Sequence, residues 1–486
     1  MNFRAHGRSL PIALISLAST ALLLAGCSGN STNSMTNPQA VTGSSFVVGT
    51  DAPMASVTSF SVPIQGLCGV MVDPTTNMSQ CVPLISGTPT VDFARFNGLQ
   101  TLLDMNDIQV GTYTQIQVTL GAATIGYLDM TKTPPAVETE TATYASPCSS
   151  TTSCTYTATL ASPLVVTQSS APVGLRVDFD LHKSIAVDGN GNITGSVTPT
   201  FNIGVVKNSD SGGHIDTLIA SVVSVDTTGQ SFVVQGPHGR QFTIDVSGTT
   251  QWEDGDSISS LVAGSSIVEV AGSLDRVDAT IDADDVAILS QSGFYAGGQV
   301  TYVAPSTSTT SPASAPDFDL YVRGLLPTST GLTLGQIATI DLSNNPKFFI
   351  RWMHNPLSEL LFNSSTMMAG QHVSVGGPAS GAQNASDVTV NRVVLRDWGF
   401  NGTVVAKSTP VSAAGVNSAF QMKINGFAGV LVPQTVTVYI VPGCGWRYGL
   451  NAMSDLQTNE NVRVVGLLLN VNGQPVLIGH YVDELN

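Results

Sequence analysis

Short runs in which hydrophobic and polar residues alternate follow one another along most of the chain. Between residues 46 and 206 these runs are separated by Gly, Pro and Asn-Gly turns, and the clearest are 57–64, 113–120, 156–160, 164–167, 175–179 and 193–197. Alternation with a period of two puts one face of a strand in a core, and β-branched residues fit the pleated surface of a sheet. The length and spacing of the runs predict a β-sandwich over residues 46–206.

The remainder of the chain carries an internal repeat of similar runs. The copies span residues 217–290, 294–396 and 398–486, and each holds five or six predicted strands. They share one landmark, an apolar residue and a turn followed by a Val-x-Val strand that ends at glycine. Closure into a barrel removes sheet edges that a chain with few charges cannot protect. We therefore predict three tandem β-barrel modules, the second with insertions.

The N-terminal residues follow a different pattern. Arg4 and Arg8 precede an apolar stretch at residues 11–26, which ends in Leu-Ala-Gly just before Cys27. This order is typical of a secretory signal, and the stretch is too short to span a bilayer. Leu-Ala-Gly-Cys resembles the lipobox of bacterial lipoproteins, in which the cysteine is diacylated and becomes the new N-terminus. The resemblance implies a signal peptide over residues 1–26; an ordinary secretory signal with a chance cysteine is the alternative.

The residues after Cys27 bear on localisation. Ser28 stands where, in Gram-negative lipoproteins, an aspartate favours the inner membrane, so the resemblance implies the outer membrane with the body facing the periplasm or the cell surface. Residues 27–45 contain no charge and few apolar side chains, and we expect a flexible tether. Because more than one acyl chain anchors a protein stably, the membrane partner is reached through the lipid.

Composition narrows the function classes. Charged residues make up 11% of the chain, and the abundance of Gly, Ser, Thr, Val and Ala favours short strands joined by turns. The formal net charge is −16 and becomes −18 once Arg4 and Arg8 leave with the signal peptide. Such a protein lacks the basic surface that holds phosphates, so we expect no nucleic acid partner.

Cysteine usage fits an exported protein. Besides the N-terminal cysteine the chain has Cys68, Cys81, Cys148, Cys154 and Cys444. The first two bracket one turn-rich segment and the next two another, so we favour these two pairs as local disulfides. Zinc is the competing interpretation, but no Cys-x-x-Cys pair or Cys/His spacing of the usual kind is present. The last cysteine is left over, either as a buried thiol or as an exposed one able to cross-link.

Two resemblances carry the fold prediction further. An ordered set of motifs resembles an uncharacterised bacterial lipoprotein domain: Thr-Asp-Ala-Pro at 50–53, Val-Asp-Phe at 91–93, Gly-Thr-Tyr-Thr-Gln-Ile at 111–116 and Val-Asp-Phe-Asp-Leu at 177–181 with Lys-Ser at 183–184. That family often has arginine where this chain has Gln117, and it has no established activity to transfer. The three modules resemble a second uncharacterised family of small β-barrel repeats with an OB-like strand order. The resulting prediction is an all-β protein, a sandwich followed by three tandem OB-like barrels.

The sequence contains no recognisable catalytic constellation. The seven histidines are scattered without metal-binding spacing, and neither a Gly-x-Ser-x-Gly elbow nor a phosphate-binding Gly-rich loop is present. The densest acidic cluster indicates a solvated sheet edge, with a weak calcium site as the alternative; it consists of Asp275, Asp278, Asp282, Asp284 and Asp285. We predict a protein that is not an enzyme and has no cofactor and no metal.

Aromatic residues are the best candidates for ligand recognition. OB-like barrels bind ligands on one sheet face and through flanking loops, where aromatic rings can stack on sugars. The candidates are Phe348, Trp352, Trp446 and Tyr448, and packing within and between modules is the competing interpretation.

We therefore expect a lipid-anchored envelope protein with a structural or interaction role, whose partners are other envelope proteins. The alternative is a surface module that binds glycan or peptide.

Overall fold

Strands make up most of the molecule, as the alternating pattern predicts. The structure is a computed structural model that describes residues 41–52, 54, 57–72, 77–96, 101–129, 136–168, 173–188, 192–206, 214–236, 241–275, 280–304, 317–327, 330–351, 360–407, 415–416, 418–424, 434–447 and 449–485. The predicted signal peptide and Cys27 lie outside these residues. Within them, the one α-helix is the single turn Leu181–Ser184, and no helix is long and apolar enough to cross a bilayer.

The N-terminal part is built from three sheets. Its described strands are β1 (Thr42–Ala52), β2 (Val57–Val72), β3 (Ser79–Pro83), β4 (Thr90–Asp92), β5 (Thr101–Gln109), β6 (Gly111–Leu120), β7 (Thr124–Asp129), β8 (Ala136–Thr141), β9 (Thr143–Tyr144), β10 (Cys154–Val166), β11 (Val173–Asp180), β12 (Ile185–Val187), β13 (Ile193–Val197) and β14 (Phe201–Val206). One sheet has the order β14-β11-β1-β5, and a second follows β10-β6-β2-β7-β8 with β3 and β4 paired to β2. A small third sheet has the order β12-β13-β9.

The first strand begins earlier than expected. β1 starts at Thr42, so residues 42–45 form a strand although the sequence pattern predicts a tether there. Ser45 lies buried and pairs with Asn106 on the antiparallel β5 and with Val173 on the parallel β11. Backbone pairing with β5 along the whole segment, and with β11 from Ser45 onward, holds these polar residues in the sheet, because the hydrogen bonds do not depend on the side chains.

Residues from both larger sheets form one core with aromatic side chains at its centre. Phe60 and Phe179 stack with their ring centroids 5.0 Å apart. Phe93 lies 5.0 Å and Phe201 lies 4.7 Å from Phe179. Aromatic pairs of this kind contribute about 0.5–1.5 kcal/mol each beyond their burial. Phe93 and Phe179 belong to the Val-Asp-Phe motifs, so these motifs supply the centre of the core.

Disulfides are present at both expected pairs. Cys68–Cys81 joins β2 to β3 with the Cα atoms 5.5 Å apart. Cys148–Cys154 closes the loop before β10 with the Cα atoms 4.9 Å apart. Cys444 is unpaired and half-buried, and burial raises the pKa of its thiol to about 12. A thiol with such a pKa is mostly protonated near neutral pH and therefore weakly nucleophilic.

The remaining strands form three sheets in sequence. The first module contains β15 (His214–Asp226), β16 (Ser231–Gln235), β17 (Gln241–Asp245), β18 (Gln251–Trp252), β19 (Ile267–Asp275) and β20 (Thr280–Ser290). The second contains β21 (Phe294–Val303), β22 (Phe318–Leu326), β23 (Ile337–Asp341), β24 (Lys347–Ile350), β25 (His372–Gly377), β26 (Val388–Thr389) and β27 (Arg392–Leu395). The third contains β28 (Trp398–Ala406), β29 (Ser418–Ile424), β30 (Gln434–Arg447), β31 (Asn461–Val471) and β32 (Gln474–Glu484).

All three sheets use the same order of pairing. If the short strands β18 and β24 are left out of the count, the first strand of each sheet lies between the second and the fourth, and the fourth pairs antiparallel with the fifth. The fifth strand runs parallel to the third. In the second module the fifth strand is split into β26 and β27, each pairing with a different neighbour. A short 3-10 turn lies ahead of each fourth strand: Ile258–Ser260, Ser364–Thr366 and Met453–Asp455.

The landmark glycine of the repeat has a steric reason. Gly272 and Gly466 both lie where the register of the fourth strand shifts against the fifth. A Cβ atom on Gly466 would lie 1.8 Å from the carbonyl oxygen of Ile478, and one on Gly272 would lie 2.1 Å from that of Asp282. In the second module a Cβ on the corresponding Gly377 would lie 2.6 Å from the carbonyl oxygen of Thr389 on β26. Close backbone approach therefore requires glycine at each of these positions.

The hydrophobic cores extend across the predicted domain boundaries. Phe46 and Val48 of β1 pack into the core of the first module, while Val47 between them faces the sandwich core. Leu467 and Leu469 of β31 likewise join the core of the second module. Both strands contain unbroken apolar runs, as expected of strands that are buried on two faces.

We expect Gly466→Ala to destabilise the protein by roughly 1–3 kcal/mol, because an added methyl group in this packed strand pair must displace the backbone of β32. Chemical denaturation monitored by circular dichroism measures the change. Gly204→Ala is the matched control, since Gly204 also lies in a strand and a Cβ there meets nothing within 4 Å. Equal stability of the two variants would show that the register shift at Gly466 tolerates a side chain.

Candidate functional site

Of the four aromatic residues predicted to bind a ligand, the structure describes two, and these lie against different cores. Phe348 lies half-buried on β24 against the core of the second module, and its ring meets Phe362 edge to face with centroids 5.4 Å apart. Trp446 lies half-buried near the end of β30 and packs against the core of the third module. Trp352 and Tyr448 lie outside the described residues. Phe348 and Trp446 thus contribute to two separate cores.

The acidic cluster of the first module lies along β19 and β20. Asp282 and Asp284 are exposed, Asp275 and Asp285 are half-buried, and Asp278 lies outside the described residues. In the part of the chain that the structure describes, no three His, Cys, Asp or Glu side chains gather closely enough to hold a metal ion.

Buried charges gather instead where the modules meet. We call this cluster the central junction and define it by Glu269 of the first module, Arg351 and Arg396 of the second, Asp397 at the boundary with the third, and His480 of the third. The side chains of the two arginines and both carboxylates are almost completely buried. Charge burial is costly unless partners are present, so the geometry of these partners matters.

Strand alternation explains how the second module presents its arginines. On β27, Val393 and Leu395 lie in the core of that module. Arg392 and Arg396 alternate with them and therefore lie on the opposite face of the sheet. β24 runs parallel to β27, and Arg351 follows its last residue. The outer face of this sheet thus becomes a buried platform of guanidinium groups.

Glu269 is the carboxylate that this platform surrounds. Its side chain is 0% exposed. Its Oε1 atom lies 2.8 Å from Nε of Arg351 and accepts a hydrogen bond from Arg396. The hydroxyl of Thr217 donates a further bond of 2.8 Å to the same oxygen. Two hydrogen-bond donors and a second guanidinium in ion-pair contact thus converge on one buried oxygen and tie β19 to the second module.

Asp397 joins the second module to the third. Its Oδ2 atom accepts a 3.1 Å hydrogen bond from Nη1 of Arg351. Its Oδ1 atom lies 2.9 Å from Nδ1 of His480 on β32. Arg351 also donates to the backbone carbonyl of Asp216, so a single guanidinium contacts the first module and the boundary of the third.

The surroundings of Asp397 and His480 favour the charged form of each side chain. Burial by itself raises the pKa of Asp397, but the positive charges of His480, Arg351 and Arg396 outweigh it and hold the pKa below its usual range. Burial by itself lowers the pKa of His480, but the neighbouring Asp397 carboxylate outweighs that effect and raises the pKa. His480 and Asp397 therefore form an ion pair when the imidazole is protonated.

A second histidine in the same region behaves in the opposite way. Burial lowers the pKa of His372 well below its usual value, and the charge of Arg396 adds to the effect. Its Nδ1 atom lies 3.1 Å from the carbonyl oxygen of Asp397, which can only accept, so Nδ1 carries the proton of a neutral ring. The ring meets Trp398 with centroids 4.3 Å apart, and Arg323 stacks 4.5 Å from the centre of the Trp398 ring.

Two further arginines join the sandwich to the second and third modules. Arg323 of β22 donates to the backbone carbonyl of Ala94. Arg463 of β31 donates a 2.7 Å hydrogen bond to the carbonyl of Asp51. Its Nε atom also donates a 2.9 Å bond to Asp483, which Arg447 contacts from the other side at 2.7 Å. Burial by itself raises the pKa of Asp483, but these two arginines outweigh it and lower the pKa.

The sequence carries a signal for this cluster that catalytic motifs do not capture. Arg396 and Asp397 directly follow the strand Arg392–Leu395, whose last three residues are apolar. Arg463 is flanked by valines on β31. A charged residue within an apolar run is unusual, because Arg and Asp are rarely buried without partners. Such positions indicate buried ion pairs, although the partners come from distant segments and cannot be paired from sequence.

We expect His480 to stabilise the folded protein on the acidic side of neutrality. Because folding raises its pKa, the stabilisation is complete below the unfolded value of about 6.5 and is lost as the pH rises through the folded value. Urea unfolding should therefore show that the stability difference between the wild type and His480→Gln shrinks as the pH increases from about 6 to about 9. The control is His182→Gln, at the exposed His182. A difference that stays constant or grows with pH contradicts the assignment.

Comparison with known proteins gives one family match. Residues 44–194 match the family described as a domain of unknown function, DUF4382. No curated protein matches the chain. Among solved structures, a deletion mutant of the single-stranded DNA binding protein from Thermus aquaticus is similar at 12% identity and a TM-score of 0.17, over 40% of this chain and 93% of that one. The N-terminal part of this all-β chain thus matches a domain of an uncharacterised family.

Proposed function

We propose that the protein is a lipid-anchored protein of the cell envelope, held in the outer membrane through Cys27, with a non-catalytic structural or interaction role. On this proposal the lipoprotein domain and three tandem OB-like modules form one body, whose partners are membrane lipid and other envelope proteins. The observation that carries the proposal is the central junction, where the modules are joined through buried charges.

The use of the ionisable groups supports a structural role. A catalytic acid or base must reach the proton that it transfers, within about 2.6–3.2 Å or through one water. Glu269 and Asp397 are instead directed at arginines and histidine of neighbouring modules and lie away from solvent. Their contacts hold the modules together, as expected of a rigid body that presents a surface to partners.

A glycan-binding or peptide-binding module is the weaker candidate. Phe348 is directed at Phe362 and the core, and Trp446 packs against a different core. A recognition site needs aromatic faces that are open to the ligand. These contacts favour packing as the role of both rings.

The anchor is tested by Cys27→Ala. We expect this variant to move from the membrane fraction to the soluble fraction after cell lysis, because the acyl chains are attached through the thiol. Immunoblotting of the two fractions measures the distribution. The control is Cys444→Ala, because Cys444 takes part in neither disulfide. This variant should stay in the membrane fraction. If the wild type is already soluble, Cys27 belongs to an ordinary secretory signal.

The structural role is tested by Glu269→Gln, which leaves two buried guanidinium groups without their shared carboxylate. We expect a loss of about 3–5 kcal/mol in the free energy of unfolding, because removal of one partner leaves uncompensated buried charge. Small-angle scattering of the folded variant should show a larger radius of gyration, as the first and second modules separate.

The matched control is Asp254→Asn. Asp254 lies 3.6 Å from Lys347 and also joins the first module to the second, but both side chains are exposed. Exposed pairs contribute about 0–1 kcal/mol, so the control should unfold almost like the wild type. Equal behaviour of the two variants refutes a structural role for the central junction.

A further inference from the structure

Exposed apolar side chains concentrate at one end of the sandwich. Val41, Val72, Met78 and Val165 are 48%, 55%, 64% and 48% exposed. The other large apolar side chains that are exposed within the described residues belong to β12 of the sandwich and to the three modules: Val187, Val223, Val262, Tyr302, Leu334, Leu361 and Val405. Single exposed apolar residues are ordinary, whereas several in one place mark an interaction surface.

Strand register brings the four residues to the same end. β1 begins where β5 ends, because Thr42 pairs with Gln109 and the amide of Val110 donates a 2.9 Å bond to the carbonyl of Val41. β10 ends at the same turn, since Val165 pairs with Thr112. The two larger sheets therefore meet at this turn, and Val41 and Val165 lie on either side of it.

The β2–β3 hairpin approaches the same turn. A Cβ atom on Gly111 would lie 2.9 Å from Cε of Met71, so the end of β2 is in contact with the start of β6. Val72 follows Met71 and pairs with Ser79 at the start of β3, with Met78 next to it. We call the surface formed by Val41, Val72, Met78 and Val165 the anchor-proximal end, since the chain from Cys27 reaches the sandwich here.

The described residues of this end carry little charge. In the described segments 41–46, 70–72, 77–81, 106–114 and 163–168, Asp107 is the single charged side chain, and it accepts a 2.6 Å hydrogen bond from the hydroxyl of Ser44. The exposed polar positions in these segments otherwise carry Ser, Thr, Asn and Gln. A neutral surface of apolar and hydroxyl groups has no attraction for anionic headgroups, which require basic residues.

We propose that the anchor-proximal end rests on the lipid surface of the membrane that holds the anchor, with its apolar side chains in contact with a zwitterionic headgroup layer. The inference rests on the proposed lipid anchoring of Cys27. Thirteen residues lie between Cys27 and Val41, and this stretch of chain spans at most about 50 Å when extended. The anchor thus keeps this end close to the bilayer, and attachment makes the contact intramolecular, so that a weak surface is sufficient.

The experiment places a tryptophan in the anchor-proximal end of the full lipidated chain. Val165→Trp and the control Val405→Trp, which marks an exposed site in the third module, are reconstituted in phosphatidylcholine vesicles with brominated acyl chains. Interfacial side chains bury about 5–10 Å into the boundary between headgroups and acyl chains, so we expect quenching by bromine to be roughly twofold stronger for Val165→Trp than for the control. The native tryptophans contribute equally to both variants.

The outcomes separate the contact from the anchor. If both proteins float with the vesicles and show equal quenching, the anchor is present and the proposed contact is wrong. If Trp fluorescence of Val165→Trp is shielded from aqueous iodide but not quenched by bromine, another part of the chain or a second copy covers this end, which also overturns the proposal. If neither protein floats with the vesicles, the lipid anchor itself fails and the contact fails with it.

Discussion

The buried carboxylate of Glu269 is the constraint on which the arrangement of the modules depends. Its own module supplies one hydroxyl donor, from Thr217, and the positive charge comes from Arg351 and Arg396 of the next module. Removing a carboxylate from water costs several kcal/mol, which only a close and correctly oriented cation offsets. The first module can therefore bury this face in one orientation against the second, and we infer that the pair specifies the docking geometry more than it adds net stability.

Apolar packing supplies the stabilisation that the ion pairs do not. Phe46 and Val48 of the sandwich enter the core of the first module, and Leu467 and Leu469 of the third enter the core of the second. Burial of such side chains contributes about 1.5–3 kcal/mol each. The two kinds of contact therefore have different roles, since the shared cores hold neighbouring parts together and the arginines determine how those parts are oriented.

The sequence predicted the local structure better than the assembly. Alternation identified the strands, the shared glycine marked the fourth strand of each module, and the turn-rich cysteine segments contain the two disulfides. The central junction could not be predicted, because Glu269 and Arg396 are 127 residues apart and only the fold brings them together. The sequence also could not decide whether the aromatic residues bind a ligand or pack in a core. Phe348 and Phe349 are neighbours in sequence, which does not show which ring faces a core. In the structure, alternation along β24 directs Phe348 inward and places the Phe349 ring beneath Arg392.

The low charge of the chain acquires a physical meaning from this arrangement. Of the ten arginines that follow Cys27, four are almost completely buried: Arg323, Arg351, Arg396 and Arg463. Four of the basic side chains are thus buried between modules, while acidic residues outnumber basic ones in the chain as a whole. An excess of negative charge is repelled by anionic lipid, whose recruitment of a protein requires basic residues. On the proposal that Cys27 is lipidated, a covalent anchor attaches the protein to the membrane without a basic patch, and the chain from the anchor enters the sandwich at the end formed by Val41, Val72, Met78 and Val165.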